Sequence, residues 1–415
     1  MKIYKFGGAS LKNVELVNKI FNIIKEEKNL IIVVSAIDKT TNALEKLIDA
    51  YFNNLDEKFS IYEKIKNFHL EYIKNCIGNN YNIVEIDKQF EILKEKIFSR
   101  TSNSYDFEYD AIVSFGEIFS SIIFFEYLKK NNLNVQFVDI RDTILTDTNH
   151  RDAKILWEDS ADTVKSVFNE NFDIYVTQGF IGRDKNREIT TLGREGSDYT
   201  AAALGYLTDT ESVTVWKDVP GIMNADPAWY KSAQKIDRLS FKEAVELAFY
   251  GAKIIHPKTI KPLENKNIPL FVKSFLNSEQ EGTVVNNFED SNVEMPPIFI
   301  LKTNQMLISL RTKDFSFIVE ENISKIFAIF AKFKIKVNIM QNSALSFTVS
   351  INEDSKNIDK LISELQNEYV VKYNKNMELL TIRYYTEAVV NETIENRKIF
   401  LEQRNRLTTN FVYEK

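Results

Sequence analysis

The feature that most constrains this chain is Leu30-Ile-Ile-Val-Val34, apolar at every position and bounded by polar residues. A strand with one wet face alternates, whereas an unbroken apolar run suits a strand covered on both faces. Lys2 to Phe6 precedes it as a short strand, and Val17, Ile20, Phe21 and Ile24 recur between them at helical spacing. Strand-like stretches continue at Val135 to Ile140, Asp173 to Thr177 and Ser212 to Trp216, with helical stretches between. This alternation predicts an α/β domain around a mainly parallel sheet.

Residues 43–110 interrupt the rhythm. Tyr62, Ile65, Phe68, Tyr72, Ile73 and Cys76 share one helical face, and Phe90, Leu93 and Ile97 repeat the pattern, which predicts a mostly helical insertion with His69 packed beside its stripe. The polar stretch Asn277 to Met295, followed by Pro296-Pro297, reads as a linker with a boundary near 290. Beyond it, Gln305 to Arg311, Ala344 to Asn352, Tyr369 to Tyr373, Met377 to Tyr385 and Thr408 to Tyr413 read as strands. Two amphipathic helices lie among them: Ile323 to Phe333, which Asn322 is placed to cap, and Ile358 to Leu365. The sum is a small βαββαβ module and a partial repeat.

Composition narrows the function. Lys and Arg total 53 against 59 Asp and Glu, a net charge of −6, which argues against a nucleic-acid partner. The single cysteine, Cys76, excludes a disulfide framework and a Cys-based zinc site. The opening MKIYKFGG has no apolar h-region, and Leu30 to Val34 is far short of the ~20 residues that span a bilayer, so a cytoplasmic protein without a membrane partner is expected.

Glycine is used sparingly, 12 residues in 415, and clusters beside charged or hydroxyl residues in the first 251. Lys5-Phe6-Gly7-Gly8-Ala9-Ser10 joins a strand to a helix: amide N–H groups, the helix terminus and Lys5 together suit a polyphosphate. No GxxxxGK[ST] or GxGxxG occurs, which sets aside P-loop and Rossmann readings. In Thr190 to Ala203, Arg194 between glycines suits a bidentate grip on a carboxylate, Ser197 offers a hydroxyl and Asp198 a magnesium ligand; alternatively Ser197 or Asp198 only caps the helix that follows. Trp216 to Pro227 is a strand ending in a loop where an open sheet receives a base and ribose, or simply a turn. Gly251 to Pro257 adds Lys253, a cation for phosphate, and His256, which reads as structural.

Taken in order, KFGGAS, VVSAIDKTTN (33–42), SFGE (114–117), TLGREGSDYTAA (191–202), WKDVPGIMNADP (216–227) and GAKIIHP (251–257) resemble the signature series of aspartate kinases. The resemblance implies an amino-acid-kinase-like three-layer sandwich around a mainly parallel sheet over 1–290, then an α+β ferredoxin-like ACT regulatory region over 296–415, with one module at about 303–374 and a shortened second. It implies ATP-dependent phosphorylation of the L-aspartate side chain to 4-phospho-L-aspartate, the first step towards lysine, threonine and methionine. ATP and Mg²⁺ would be required, with a homodimer or higher homo-oligomer and lysine or threonine as possible effector.

By the same resemblance Lys5 and Asp198 are catalytic, Asp198 also through Mg²⁺. Ser35, Thr41, Glu117, Arg194 and Ser197 bind aspartate, with Glu117 on its ammonium. Lys5, Phe6, Gly7, Gly8, Lys217, Asp218, Met223, Asn224, Ala225, Asp226, Pro227, Ala228 and Lys253 bind ATP. Ala9, Glu195, Met223 and Ala228 depart from the family's usual Thr, Gly, Tyr and Arg. Glu195 is expected to compete for Arg194, and Met223 and Ala228 to weaken ATP binding. No glycine follows Gly282, although ACT modules usually carry one before their first helix.

Overall fold

The computed structural model describes residues 1–78, 83–99, 102–169, 171–252, 255–289 and 295–415. It divides into two compact units: Met1–Ile222 with Lys235–Ala248 and Lys253–Val293, and Met223–Gln234 with Phe249–Ala252 and Glu294–Lys415. The second unit thus takes two short segments from within the stretch assigned to the first.

The first unit's strands are β1 (Lys2–Phe6), β2 (Leu30–Val34), β3 (Val135–Val138), β4 (Leu145–Thr146), β5 (Ile174–Gln178), β6 (Ile181–Asp184), β7 (Ile189–Thr191), β8 (Ser212–Lys217), β9 (Arg238–Ser240), β10 (Leu270–Ser274) and β11 (Thr283–Asn286). Its helices are α1 (Val14–Ile24), α2 (Thr40–Phe52), α3 (Glu57–Cys76), α4 (Val84–Phe98), α5 (Tyr105–Val113), α6 (Phe115–Lys130), α7 (Trp157–Val167), α8 (Gly196–Leu207), α9 (Phe241–Tyr250) and α10 (Pro257–Asn265). Eight strands form one sheet in the order β3-β5-β2-β1-β8-β10-β11-β9, parallel except at the β10–β11 pair. All five β2 side chains are fully buried, as a sheet covered on both faces demands. Each such side chain contributes on the order of 1.5–3 kcal/mol. The insertion is helical, as expected, comprising α2 to α5.

β11 corrects the linker: Thr283–Asn286 is a strand of this sheet, too short to show a period. A small sheet, β4-β6-β7, also escaped the sequence because its strands are two to four residues long. Tyr105–Lys130 is 26 residues long and apolar enough to cross a membrane, a property that counting unbroken runs overlooks, yet 83% of its most apolar window is buried inside the protein.

The second unit contains β12 (Ile298–Thr312), α11 (Glu320–Lys332), β13 (Val337–Asn342), β14 (Phe347–Asn352), α12 (Ile358–Glu368), β15 (Tyr369–Arg383), α13 (Glu387–Ile394), β16 (Ile399–Arg404) and β17 (Thr408–Glu414). β12 to β15 make the βαββαβ module. The antiparallel sheet runs β13-β14-β12-β15-β17-β16, and its two 15-residue strands, β12 and β15, pair from Ile298↔Arg383 to Thr312↔Tyr369. The two strands expected over 369–385 are therefore one, with polar Asn376 at φ 54° inside it, between the two expected segments. Both modules share these strands: one half packs Met306, Ile308 and Leu310 under α11 and α12, and the other packs Phe299, Leu380 and Ile382 with Val390 of α13.

Trp229, Tyr230 and buried Ala225 join that second core, with Tyr230 stacked on Phe299 at 4.7 Å between centroids, which explains why Met223–Gln234 belongs to this unit. Asn322 does not occupy the cap position of α11; from the first turn its Oδ1 accepts from the Val319 N–H at 3.1 Å. The preceding turn is made without glycine, Phe315 taking φ 61°.

Candidate active site

Four parallel strands end level with one another. In the pairings Val34↔Gln178, Phe6↔Val34 and Phe6↔Trp216, the carboxyl ends of β5, β2, β1 and β8 align, so Gly179, Ser35, Gly7 and Lys217 emerge along one edge. β2 lies on one side of β1 and β8 on the other, making β1 a switch point where an open sheet leaves a crevice.

Loops at this edge are tied together by backbone. The Asp38 N–H donates to the Gly8 carbonyl at 3.0 Å and the Ser35 N–H to Phe6 at 3.1 Å. A Cβ on Gly8 would lie 2.4 Å from the Ala36 carbonyl oxygen, and one on Gly179 would lie 2.5 Å from Ser197 Cβ, so neither position admits a side chain. β7 turns through Gly193, Arg194 and Glu195 into α8, which carries Ser197 and Asp198 in its first turn. Glu195 precedes the helix at φ 54°, and no side chain caps it, so the purely capping alternative for Ser197 and Asp198 fails.

Lys5 Nζ and Asp198 Oδ1 form a 2.6 Å ion pair, with side chains 12% and 5% exposed. Burial alone would raise the Asp198 carboxyl, but the ammonium groups of Lys5 and Lys217 outweigh it and hold the acid below its ordinary value. Glu117, in the first turn of α6, goes the other way: burial raises it to about 8, only partly offset by the Ala36 N–H, which donates to Oε1 at 3.3 Å, and by Lys5. Its Oε2 is buried without a hydrogen-bond partner.

A cavity of about 410 Å³ gathers Lys5, Ser35, Thr41, Glu117, Arg194, Ser197 and Asp198, all the residues expected to act on or bind the acceptor. Tyr109, Arg151, Phe180 and Glu195 also line it, and the first three escaped the sequence reading. Among the described residues no ion pair joins Glu195 to Arg194; the Glu195 Oε2 is buried and unpartnered.

The residues expected at the nucleotide are more scattered. Phe6 is fully buried and stacked on Trp216 at 6.0 Å, which leaves its backbone for any ligand. Asn224 is engaged within the second unit: its Nδ2 donates to Pro297, its Oδ1 accepts from Gln234, and its carbonyl accepts from Phe299. Ala225 is core, and Asp226 Oδ1 accepts from the Ala228 N–H at 2.9 Å. Lys253 lies outside the described residues. His256 is structural, its Nδ1 accepting from the Lys258 N–H to cap α10.

A model of the amino acid kinase family matches residues 1–274. The chain belongs to that family. This amino acid kinase is 32% identical to lysine-sensitive aspartokinase 3 of Escherichia coli over 84% of the chain and 78% of that relative, and 30% identical to an aspartokinase of Chlamydia pneumoniae over 89% and 80%. Among solved structures it resembles E. coli aspartokinase III in complex with aspartate and ADP, with a TM-score of 0.82 and 27% identity over 100% of this chain and 96% of the other. The same E. coli enzyme with lysine and aspartate gives 0.81, again at 27% identity, over 99% and 95%. These relatives place the kinase in the aspartokinase branch, with an ACT-type second unit.

Proposed function

We propose that the cavity at the carboxyl ends of β1, β2 and β5 transfers the γ-phosphoryl group of ATP to the side-chain carboxylate of L-aspartate, giving 4-phospho-L-aspartate and ADP. The observation that carries this is the convergence of Lys5, Glu117, Arg194 and Asp198 on one cavity beside a glycine loop. An aspartate carboxylate is ionised at neutral pH, so the reaction needs no general base. It needs charge stabilisation and alignment instead.

Lys5 and the Gly7 and Gly8 amides face the charge that shifts in the γ-phosphoryl. Arg194 grips the α-carboxylate, Glu117 the α-ammonium, and Ser35, Thr41 and Ser197 complete the polar shell. Lys217 and Asp218 meet the nucleotide, and the resemblance extends that role to Met223, Asp226, Pro227, Ala228 and Lys253. Mg²⁺ fits the donors present. No group of three or more candidate ligands occurs among the described residues, but this ion commonly binds through one or two carboxylates plus substrate phosphates, and Asp198 is the ionised carboxylate on hand. Bound there, it would offset phosphate charge.

The E. coli relative crystallised with lysine and aspartate supports an amino-acid effector, lysine before threonine; the family resemblance would put it at the ACT region of a cytoplasmic homodimer or higher homo-oligomer. A hydroxamate assay for acyl phosphate tests the reaction: product is expected with aspartate and MgATP, and product with glutamate alone would overturn the assignment.

Glu117 sets a pH dependence. In the free enzyme its carboxyl keeps the proton up to about 8, and the neutral acid is a poor partner for an ammonium group. The value of kcat/KM for aspartate, which reports the free enzyme, should therefore fall as pH drops through that value. Glu117→Gln should abolish this limb and lower kcat/KM well above it; an unchanged profile would release Glu117 from the role.

A further inference from the structure

Arg151 belongs to the cavity although no motif points to it. Its backbone sits at φ 67°, a left-handed conformation that costs a residue with a side chain free energy and persists only where surroundings impose it. Here the imposition is visible. Asp110, fully buried, accepts from the Arg151 N–H at 3.1 Å, from His150 Nδ1 at 2.9 Å and from Thr191 Oγ1 at 2.6 Å. The guanidinium lies 4.3 Å from the centre of the Tyr109 ring and donates through Nη1 to Asp106 at 3.1 Å. The carbonyl oxygen of Arg151 lies 3.1 Å from where a Cβ on Gly193 would stand, which sets the residue against the turn that carries Arg194.

We infer that Arg151 is a second guanidinium for the substrate's non-reacting carboxylate, acting beside Arg194. L-Aspartate brings two carboxylates and one ammonium group. The attacking carboxylate must face the phosphoryl group near Lys5, and a bidentate clamp on it would withdraw the electron pair that attacks. Guanidinium groups are therefore best spent on the α-carboxylate. A guanidinium has five N–H donors, so the bond to Asp106 leaves others for a ligand, while stacking on Tyr109 fixes its plane in advance. This inference rests on the aspartate kinase reading.

The test uses Arg151→Gly, whose glycine suits φ 67° and so keeps the fold, together with Arg151→Lys. Arg151→Gly should raise KM for L-aspartate about tenfold, the scale of a lost charged hydrogen bond, with kcat, KM for ATP and Tm little changed, and lysine should restore part of the loss. With L-aspartate α-amide as acceptor or competing ligand, the same substitution should change nothing. Equal weakening of aspartate and its α-amide, unchanged aspartate affinity, or a fall in Tm with both KM values raised would each overturn the role. Calorimetric titration of aspartate into both proteins gives the same comparison without turnover. Absence of acyl phosphate from the unaltered enzyme would instead sink the kinase reading.

Discussion

Replacing Lys5 with alanine is expected to lower kcat about 10²–10³-fold, the usual loss when one preorganised group aimed at transition-state charge is removed. It should also destabilise the protein. The Asp198 side chain is 5% exposed and would lose its 2.6 Å partner, and stranding one member of a buried pair costs about 3–5 kcal/mol. Lys217, the other cation acting on Asp198, should keep the loss towards the lower end. Lys5→Ala with Asp198→Asn separates the effects: the double variant should regain much of the lost Tm and none of the lost kcat. Recovery of turnover along with stability would show that Lys5 acts only through folding. The pair also sets an acid limit. Asp198 is held below its ordinary value in the fold, so its contribution to stability is present above the usual carboxylate range and is lost as pH falls through the folded value.

Arg194→Ala carries the second large effect, a rise of about 100-fold in KM for aspartate, the upper end for a charge-assisted bidentate contact. KM for ATP should stay within about twofold and Tm should hold, because Arg194 is exposed and makes no ion pair among the described residues. Arg194→Lys should recover little, since an ammonium group cannot reproduce the planar fork. Steady-state kinetics with each substrate varied decide this, and an equal rise in both KM values would indicate distortion of the α8 turn instead.

The sequence exposes those parts of the site that a single segment encodes. Lys5 to Gly8 and Arg194 to Asp198 each place glycines, charge and a strand-to-helix turn within a few residues, and the fold brings both to one cavity. Arg151 was invisible because nothing local marks it. Its place depends on Asp110 and Thr191, 41 and 40 residues away, which meet only once α5 packs against β7. Glu195 shows the converse: its neighbour suggested competition for Arg194, whereas the left-handed turn holds the two without an ion pair.

The fold divides along the same line. Five consecutive apolar residues announced β2, and α11 and α12 followed from their periods. β4, β6, β7 and β11 carry too few residues for a period, and the sharing of β12 and β15 by two modules is a pairing between residues 57 to 85 positions apart, from Thr312↔Tyr369 to Ile298↔Arg383. Nothing local marks Trp229 and Tyr230 as core residues, and their packing against Phe299 required the second unit's sheet.

The most direct test is a crystal structure of the enzyme with L-aspartate and a non-hydrolysable ATP analogue. The α-carboxylate should lie between Arg194 and Arg151, the ammonium on Glu117, and the side-chain carboxylate in line with a γ-phosphoryl group held by Lys5 and the Gly7 and Gly8 amides. Aspartate bound outside this cavity, or a γ-phosphoryl group out of reach of Lys5, would contradict the account.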